Sequence, residues 1–228
     1  MSDTKSRAEE KNFRIVLSRF IARYRILFLS IIVLILVTLI GIGIYSTLNQ
    51  KRIETSAVAA EDLQVLYDEW QAAGDDEKDD LREEIEGSAE KLLNSYKNGF
   101  AAQRVHLILG RLYSESEEWE DSISQYMQIA DGFSKSYLAP IALMSAATVY
   151  EEMENYESAI AAYERVSKEY SSSFPLTAYA LISSGRLYEK TGDTESAIES
   201  YNNVIDNFSG SSWTNIAQDR IIYLETVN

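Results

Sequence analysis

The chain has 228 residues, 46% of them hydrophobic and none of them cysteine, and it carries a formal net charge of −15. That length holds one ordinary domain and an appendage. The missing cysteine excludes disulfides, thiolate nucleophiles and thiolate metal sites, and the acid excess repels nucleic acid.

Residues 1–25 hold seven bases (Lys5, Arg7, Lys11, Arg14, Arg19, Arg23, Arg25) against three acids. From Ile26 to Gln50 there is no charge at all. The apolar core of that run, Ile26 to Tyr45, is 20 residues long, about 30 Å as a helix, which matches the hydrocarbon thickness of a bilayer. The expected division is a basic head over 1–25 and a transmembrane helix over 26–48, with Tyr24 and Tyr45 near the interfaces. Ala57-Val58-Ala59 has the small-x-small pattern of a signal cleavage site. It lies too far beyond the run, and the run is too long for a signal core. Seven bases before the span against Lys51 and Arg52 just after it place the head in the cytoplasm. The rest of the chain is then outside the inner membrane, in the periplasm where there is an outer membrane. Beyond residue 25 there remain 14 bases and 33 acids, a net of −19, so that part is expected to be soluble and to stand off anionic headgroups.

Residues 53–100 read as a degenerate helical hairpin and linker. Val58, Leu63, Val65, Leu66 and Trp70 suit one helix, and Leu81, Ile85, Ala89, Leu92 and Tyr96 a second. Between them Asp75, Glu77 and Asp79 alternate as calcium ligands would, but Asp80 stands where the sharp turn needs glycine. A solvated turn is the expectation.

Residues 101–210 repeat themselves. Gly110, Ala147 and Gly185 are each followed three later by Tyr113, Tyr150 or Tyr188, twelve later by Ser122, Ala159 or Ala197, and sixteen later by Tyr126, Tyr163 or Tyr201. Ile129, Val166 or Val204 comes next, then Phe133-Ser134, Tyr170-Ser171 or Phe208-Ser209. The copies start 37 and 38 residues apart, a period that marks stacked units unable to bury their apolar faces alone. Within each copy the small residue lets a second helix approach and the tyrosine three later fills the space beside it. Asn155 and Asp193 are expected to cap second helices, and Gly192 to stop a first helix. Residues 211–228 supply a closing helix with Trp213, Ile216, Ala217, Ile221 and Leu224 on its apolar side and Gln218, Asp219, Arg220 and Glu225 on its wet side.

These positions resemble the tetratricopeptide repeat, whose signature is a Gly/Ala-x-x-Tyr helix followed by an Ala-x-x-x-aromatic helix. The serines at 134, 171 and 209 replace the family's proline, and each unit is three or four residues longer at that junction. The resemblance implies an all-α fold in which helical hairpins stack into a superhelix behind a single transmembrane helix. It also implies a concave groove lined by first helices, with Arg104, Leu107 and Arg111, then Ile141, Met144 and Thr148, then Tyr179, Ile182 and Arg186 facing a protein partner. Apolar side chains flanked by three arginines favour an amphipathic or unfolded segment of some acidic character. An alternative is that part of this surface packs on the chain's own next helix.

No catalytic, cofactor-binding or metal-ligating set is expected. The one histidine, His106, is in register with Leu143 and Leu181 and is read as packed rather than catalytic. The serines have no histidine or lysine arranged to activate them, and the sequon at Asn207 coincides with a repeat junction. The layout of head, span, repeats and closing helix looks like the family of YfgM-type ancillary subunits of the SecYEG translocon. That likeness implies a non-enzymatic, membrane-tethered protein that assists translocation or chaperoning of secreted proteins, with translocon subunits or periplasmic chaperones as partners. A scaffold in an envelope machine, such as outer-membrane assembly, cell-wall synthesis or a periplasmic flagellar collar, is the alternative expectation.

Overall fold

A computed structural model describes the chain over residues 3–227, and its side chains over 14–226 apart from positions 16, 17, 21 and 28. Lys5, Arg7 and Lys11 of the basic head lie outside the described side chains. Among the described residues there are nine α-helices and no strand. By contacts the chain falls into two units, Met1–Thr55 and Ser56–Asn228.

The first unit is helical from Asp3, the first residue of helix α1 (Asp3–Ala72). Its described large apolar side chains between 26 and 48 are exposed, from Ile26 at 73% to Ile31 at 45%. Three hydroxyls inside this stretch fold back onto the helix: Ser30 donates to the Ile26 carbonyl at 2.9 Å, Thr38 to Leu34 at 2.8 Å and Thr47 to Gly43 at 3.0 Å. Each of these three is thereby satisfied without water, the condition that hydrocarbon imposes. Among the described residues one helix is long and apolar enough to cross a membrane, and it is this one.

The second unit begins with the last turns of α1. Ala60, Leu63, Tyr67 and Trp70 are buried there, at the three- and four-residue spacing of one helix face. Val58 and Val65, expected in the core, are instead exposed. They lie two residues off the face that Leu63 and Trp70 share with the less obviously apolar Ala60 and Tyr67. Helix α2 (Asp75–Ser95) adds Ile85 and Ala89 to the same cluster, together with Val105, Ile108, Leu109 and Leu112 from helix α3 (Phe100–Glu115). The acidic run is not a turn: Asp75, Asp76 and Glu77 form the first turn of α2. Carboxylates are favourable there because they meet the positive end of the helix dipole and its free N–H groups.

The remaining helices are α4 (Trp119–Gly132), α5 (Leu138–Glu152), α6 (Tyr156–Tyr170), α7 (Thr177–Thr191), α8 (Thr194–Asn207) and α9 (Trp213–Val227). From α3 onward every helix packs on the next, and first helices also meet across a hairpin, α3 with α5 and α7 with α9. The core is a chain of clusters that hand over to one another. Met127 and Tyr150 serve both the α4–α5 cluster and the α5–α6–α7 cluster, and Tyr188 serves that one and the α7–α8–α9 cluster. Tyr113, Tyr150 and Tyr188 are all half-buried against such clusters.

The small residue admits the second helix closely, as expected. A Cβ at Gly110 would lie 2.6 Å from Tyr126 Cε1, and one at Gly185 would lie 2.6 Å from Tyr201 Cε1. The group that demands glycine is the second-helix tyrosine, sixteen residues on. In the first hairpin the buried Ser122 is satisfied by donating to the Gly110 carbonyl at 2.7 Å. Each first helix ends in a left-handed residue, Gly192 at φ 83° but also Glu117 at 60° and Glu154 at 56°. The caps follow at once: Asn155 Oδ1 accepts from Ser158 N at 3.2 Å and Asp193 Oδ1 from Ser196 N at 3.1 Å. Each such cap contributes about 1 kcal/mol.

Helix α9 closes the last hairpin with Ala217 and Leu224 buried and Trp213 and Ile221 half-buried. Ile216 is exposed, and Arg220, expected on the wet side, reaches back to α7.

Candidate partner-binding site

The first helices α3, α5 and α7 present Arg104, Leu107 and Arg111, then Ile141, Met144 and Thr148, then Tyr179, Ile182 and Arg186, at the three- and four-residue steps that keep a helix face together. Leu107, Ile141 and Met144 are half-buried, resting on the core clusters with part of each side chain open. Arg111, Thr148 and Tyr179 are exposed, and the Tyr179 ring leans on Trp213 of α9 with centroids 5.1 Å apart. Ile182 is buried in the cluster shared by α7, α8 and α9.

Two of the three arginines are engaged within the chain. Arg104 Nη1 lies 2.7 Å from Glu61 Oε2. Arg186 Nη2 lies 2.6 Å from Glu151 Oε2, and Glu151 also accepts from the Tyr163 hydroxyl at 2.8 Å. One repeat later the same arrangement recurs: Glu189 accepts from the Tyr201 hydroxyl at 2.5 Å and from the Arg220 guanidinium. A carboxylate four residues after the small residue thus ties together three helices, α5–α6–α7 through Glu151 and α7–α8–α9 through Glu189. Burial works against ionising Glu189, yet Arg220 and Tyr201 hold its carboxyl below the ordinary value. Burial pushes the Tyr163 and Tyr201 phenols up, and the bonds to Glu151 and Glu189 add to that. In the first repeat Ser114 occupies the carboxylate's place. Glu115 beside it takes bonds from Tyr67 at 2.5 Å and Gln71 at 2.9 Å.

Sequence reasoning missed this three-helix tie. The signal was present as a glutamate twelve residues before the second-helix tyrosine in two of three copies, and only the arginine partner, 31 or 35 residues away, was invisible. Among the described residues Arg111 alone of the three groove arginines has no ion pair, so the free positive charge of this surface is narrower than composition implies. His106 is half-buried, its Nδ1 2.8 Å from Gln125 Oε1. It links α3 to α4, whereas Leu143 and Leu181 in the same register are buried. No cluster of three or more His, Asp or Glu side chains placed to hold a metal ion exists among the described residues.

A family model described as tetratricopeptide repeat-like domain matches residues 18–225. The chain belongs to that family, and its array is a protein-interaction module of a kind that is typically non-catalytic. No curated protein compared with the chain matches it.

Proposed function

We propose that the chain is a single-pass inner-membrane protein that holds a tetratricopeptide-like array on the extracytoplasmic side, where the array binds other proteins. The observation that carries this reading is the charge-free, exposed apolar stretch of α1, with three of its hydroxyls bonded to their own helix, in the same chain as a repeat array. The excess of bases before the span over those after it orients the head toward the cytoplasm. The first-helix surface of Leu107, Arg111, Ile141, Met144, Thr148 and Tyr179 receives the partner, with Arg104 and Arg186 framing it through their ion pairs and Ile182 supporting it from beneath.

The resemblance to YfgM-type subunits supports translocon subunits and periplasmic chaperones as the partners, and assistance to secreted chains as the task. Photocrosslinking from an unnatural residue at Leu107 or Met144 in living cells tests it. Adducts with channel subunits, chaperones or nascent secreted chains are the expected result. Stoichiometric adducts with a single assembled envelope complex would instead make the protein a scaffold.

A further inference from the structure

From Lys11 to Ile53 helix α1 carries seven bases and no acid. Five of the bases come before the charge-free stretch, and the three acids of the head, Asp3, Glu9 and Glu10, all precede Lys11. Arg14, Arg19, Arg23 and Arg25 are exposed, and none of the four has an ion pair among the described residues. Arg19 and Arg23 stand four apart on one helix face, where like charges repel unless an anion joins them.

Beside the arginines runs an apolar stripe. In sequence Phe13, Leu17, Phe20 and Tyr24 follow one another at steps of four, three and four, the spacing of one helix face. The side chains of Phe20 and Tyr24 are 51% and 38% exposed, with ring centroids 4.8 Å apart. The Arg23 guanidinium lies 6.0 Å from the Tyr24 centroid. Topology asks only for a surplus of bases on one side of a span; it does not ask them to share a helix with a stripe of rings. A basic face beside an apolar one is the pattern of helices that sit at a membrane surface.

Distance and charge select the occupant. A helix rises about 1.5 Å per residue, which puts Arg23 and Arg25 within about 5 Å of Ile26 along the axis and Arg19 about 10 Å away. Headgroups extend the hydrocarbon core by about 5–8 Å on each side, and an arginine side chain spans the remainder. A second copy brings the same unpaired bases and is repelled. Nucleic acid engages the arginines but leaves the apolar stripe in water, whereas a headgroup layer meets both.

We propose that Arg19 and Arg23, helped by Arg25, bind the phosphate headgroups of anionic lipids in the leaflet where the span begins. Phe20 and Tyr24 are seated at headgroup level, and the protein gathers acidic lipid around its head. The proposal rests on the reading of α1 as a membrane span.

The test reconstitutes the full chain at low salt in phosphatidylcholine vesicles holding a trace of phosphatidylcholine or phosphatidylglycerol spin-labelled on an acyl chain. Electron paramagnetic resonance measures the fraction of each label that the protein immobilises. Immobilised phosphatidylcholine reports that the span is in the bilayer, and the excess of phosphatidylglycerol over it reports the head. Both leaflets have one composition, so the direction of insertion does not enter. Phosphatidylglycerol is expected to associate about fivefold more strongly than phosphatidylcholine, a ratio that falls toward unity as salt is added. Arg19→Gln with Arg23→Gln removes most of the excess and leaves immobilised phosphatidylcholine unchanged. Lys91→Gln with Lys97→Gln takes the same charge from exposed lysines of the array and changes neither. Equal association of the two lipids with the unaltered chain, or an excess that survives the arginine change, overturns the proposal. Loss of the excess only on Lys51→Gln with Arg52→Gln puts the lipid at the far end of the span and overturns it too. Abolition of the excess by an added DNA duplex gives the basic face to nucleic acid instead. No immobilised lipid of either kind refutes the span, and the proposal with it.

Discussion

Between residues 26 and 48 the large apolar side chains with described positions are 45–73% exposed, whereas Leu63, Ile85, Ile108, Leu143 and Val166 of the array are at most 1% exposed. The two regions draw on the same aliphatic residue types and place them oppositely. In the array, tyrosines, glycines and alanines at a fixed period give the aliphatics something to pack against, and carboxylates tie the helices at Glu151 and Glu189. In the first stretch there is no such period, and Ser30, Thr38 and Thr47 close on their own helix. Exposed apolar side chains on one helix and buried ones at a fixed period in the array are the difference on which the proposed division into anchor and binding module rests.

The strongest attack on that contrast is to put charge into the anchor. Leu34→Arg with Val37→Arg costs about 2.5–3.5 kcal/mol for each substitution near a span's centre. The variant is expected to be extracted from membranes by alkaline carbonate while the array's unfolding curve stays put.

High pH attacks the array instead, at four tyrosines together. Burial, and next a hydrogen bond to a glutamate, raises the phenols of Tyr67, Tyr163, Tyr188 and Tyr201 above their ordinary value of 10.0. A raised folded-state value means that the unfolded chain loses its protons first. The stability these groups contribute is therefore complete below pH 10.0 and falls as pH rises from there through the higher folded-state values. Urea midpoints measured on both sides of that boundary check the sign.

Single substitutions sharpen the comparison further. Ile182→Asp places a charge in the α7–α8–α9 cluster and is expected to cost roughly 3 kcal/mol, against less than about 0.5 kcal/mol for Thr148→Asp on the exposed part of the same surface. Gly185→Ala forces the buried Tyr201 ring to shift and costs about 1–3 kcal/mol by overpacking. Gly87→Ala meets open space in helix α2 and gains up to about 1 kcal/mol from helix propensity. Glu154→Gly relieves a left-handed glutamate and adds about 0.5–1 kcal/mol. Equilibrium unfolding measures all five variants.

The array was legible because its period repeats whole constellations: Asn155, Asp193 and Gly192 act locally, and each carries its own chemical reason. The left-handed turns at Glu117 and Glu154 were not legible, because glutamate gives no sign of that conformation. Position in the repeat, seven residues after the small one, was their only marker. Hydrophobicity alone misplaced Val58 and Val65, since Ala60 and Tyr67 share the buried face with Leu63. The candidate surface was half legible. Helical spacing selects its residues, but whether Arg186 and Arg104 are free depends on carboxylates in another helix. Burial of Ile182 depends on α9, which follows only after α8. Such facts belong to tertiary packing and leave no trace within one helix.

The claim that the array is tethered outside the cell membrane is tested most directly by joining alkaline phosphatase, which matures only outside the cytoplasm, after residue 228. Active phosphatase in the membrane fraction, together with a cytosol-requiring fluorescent fusion that stays dark at the same position, is the result expected. A bright fluorescent fusion with inactive phosphatase would contradict the account.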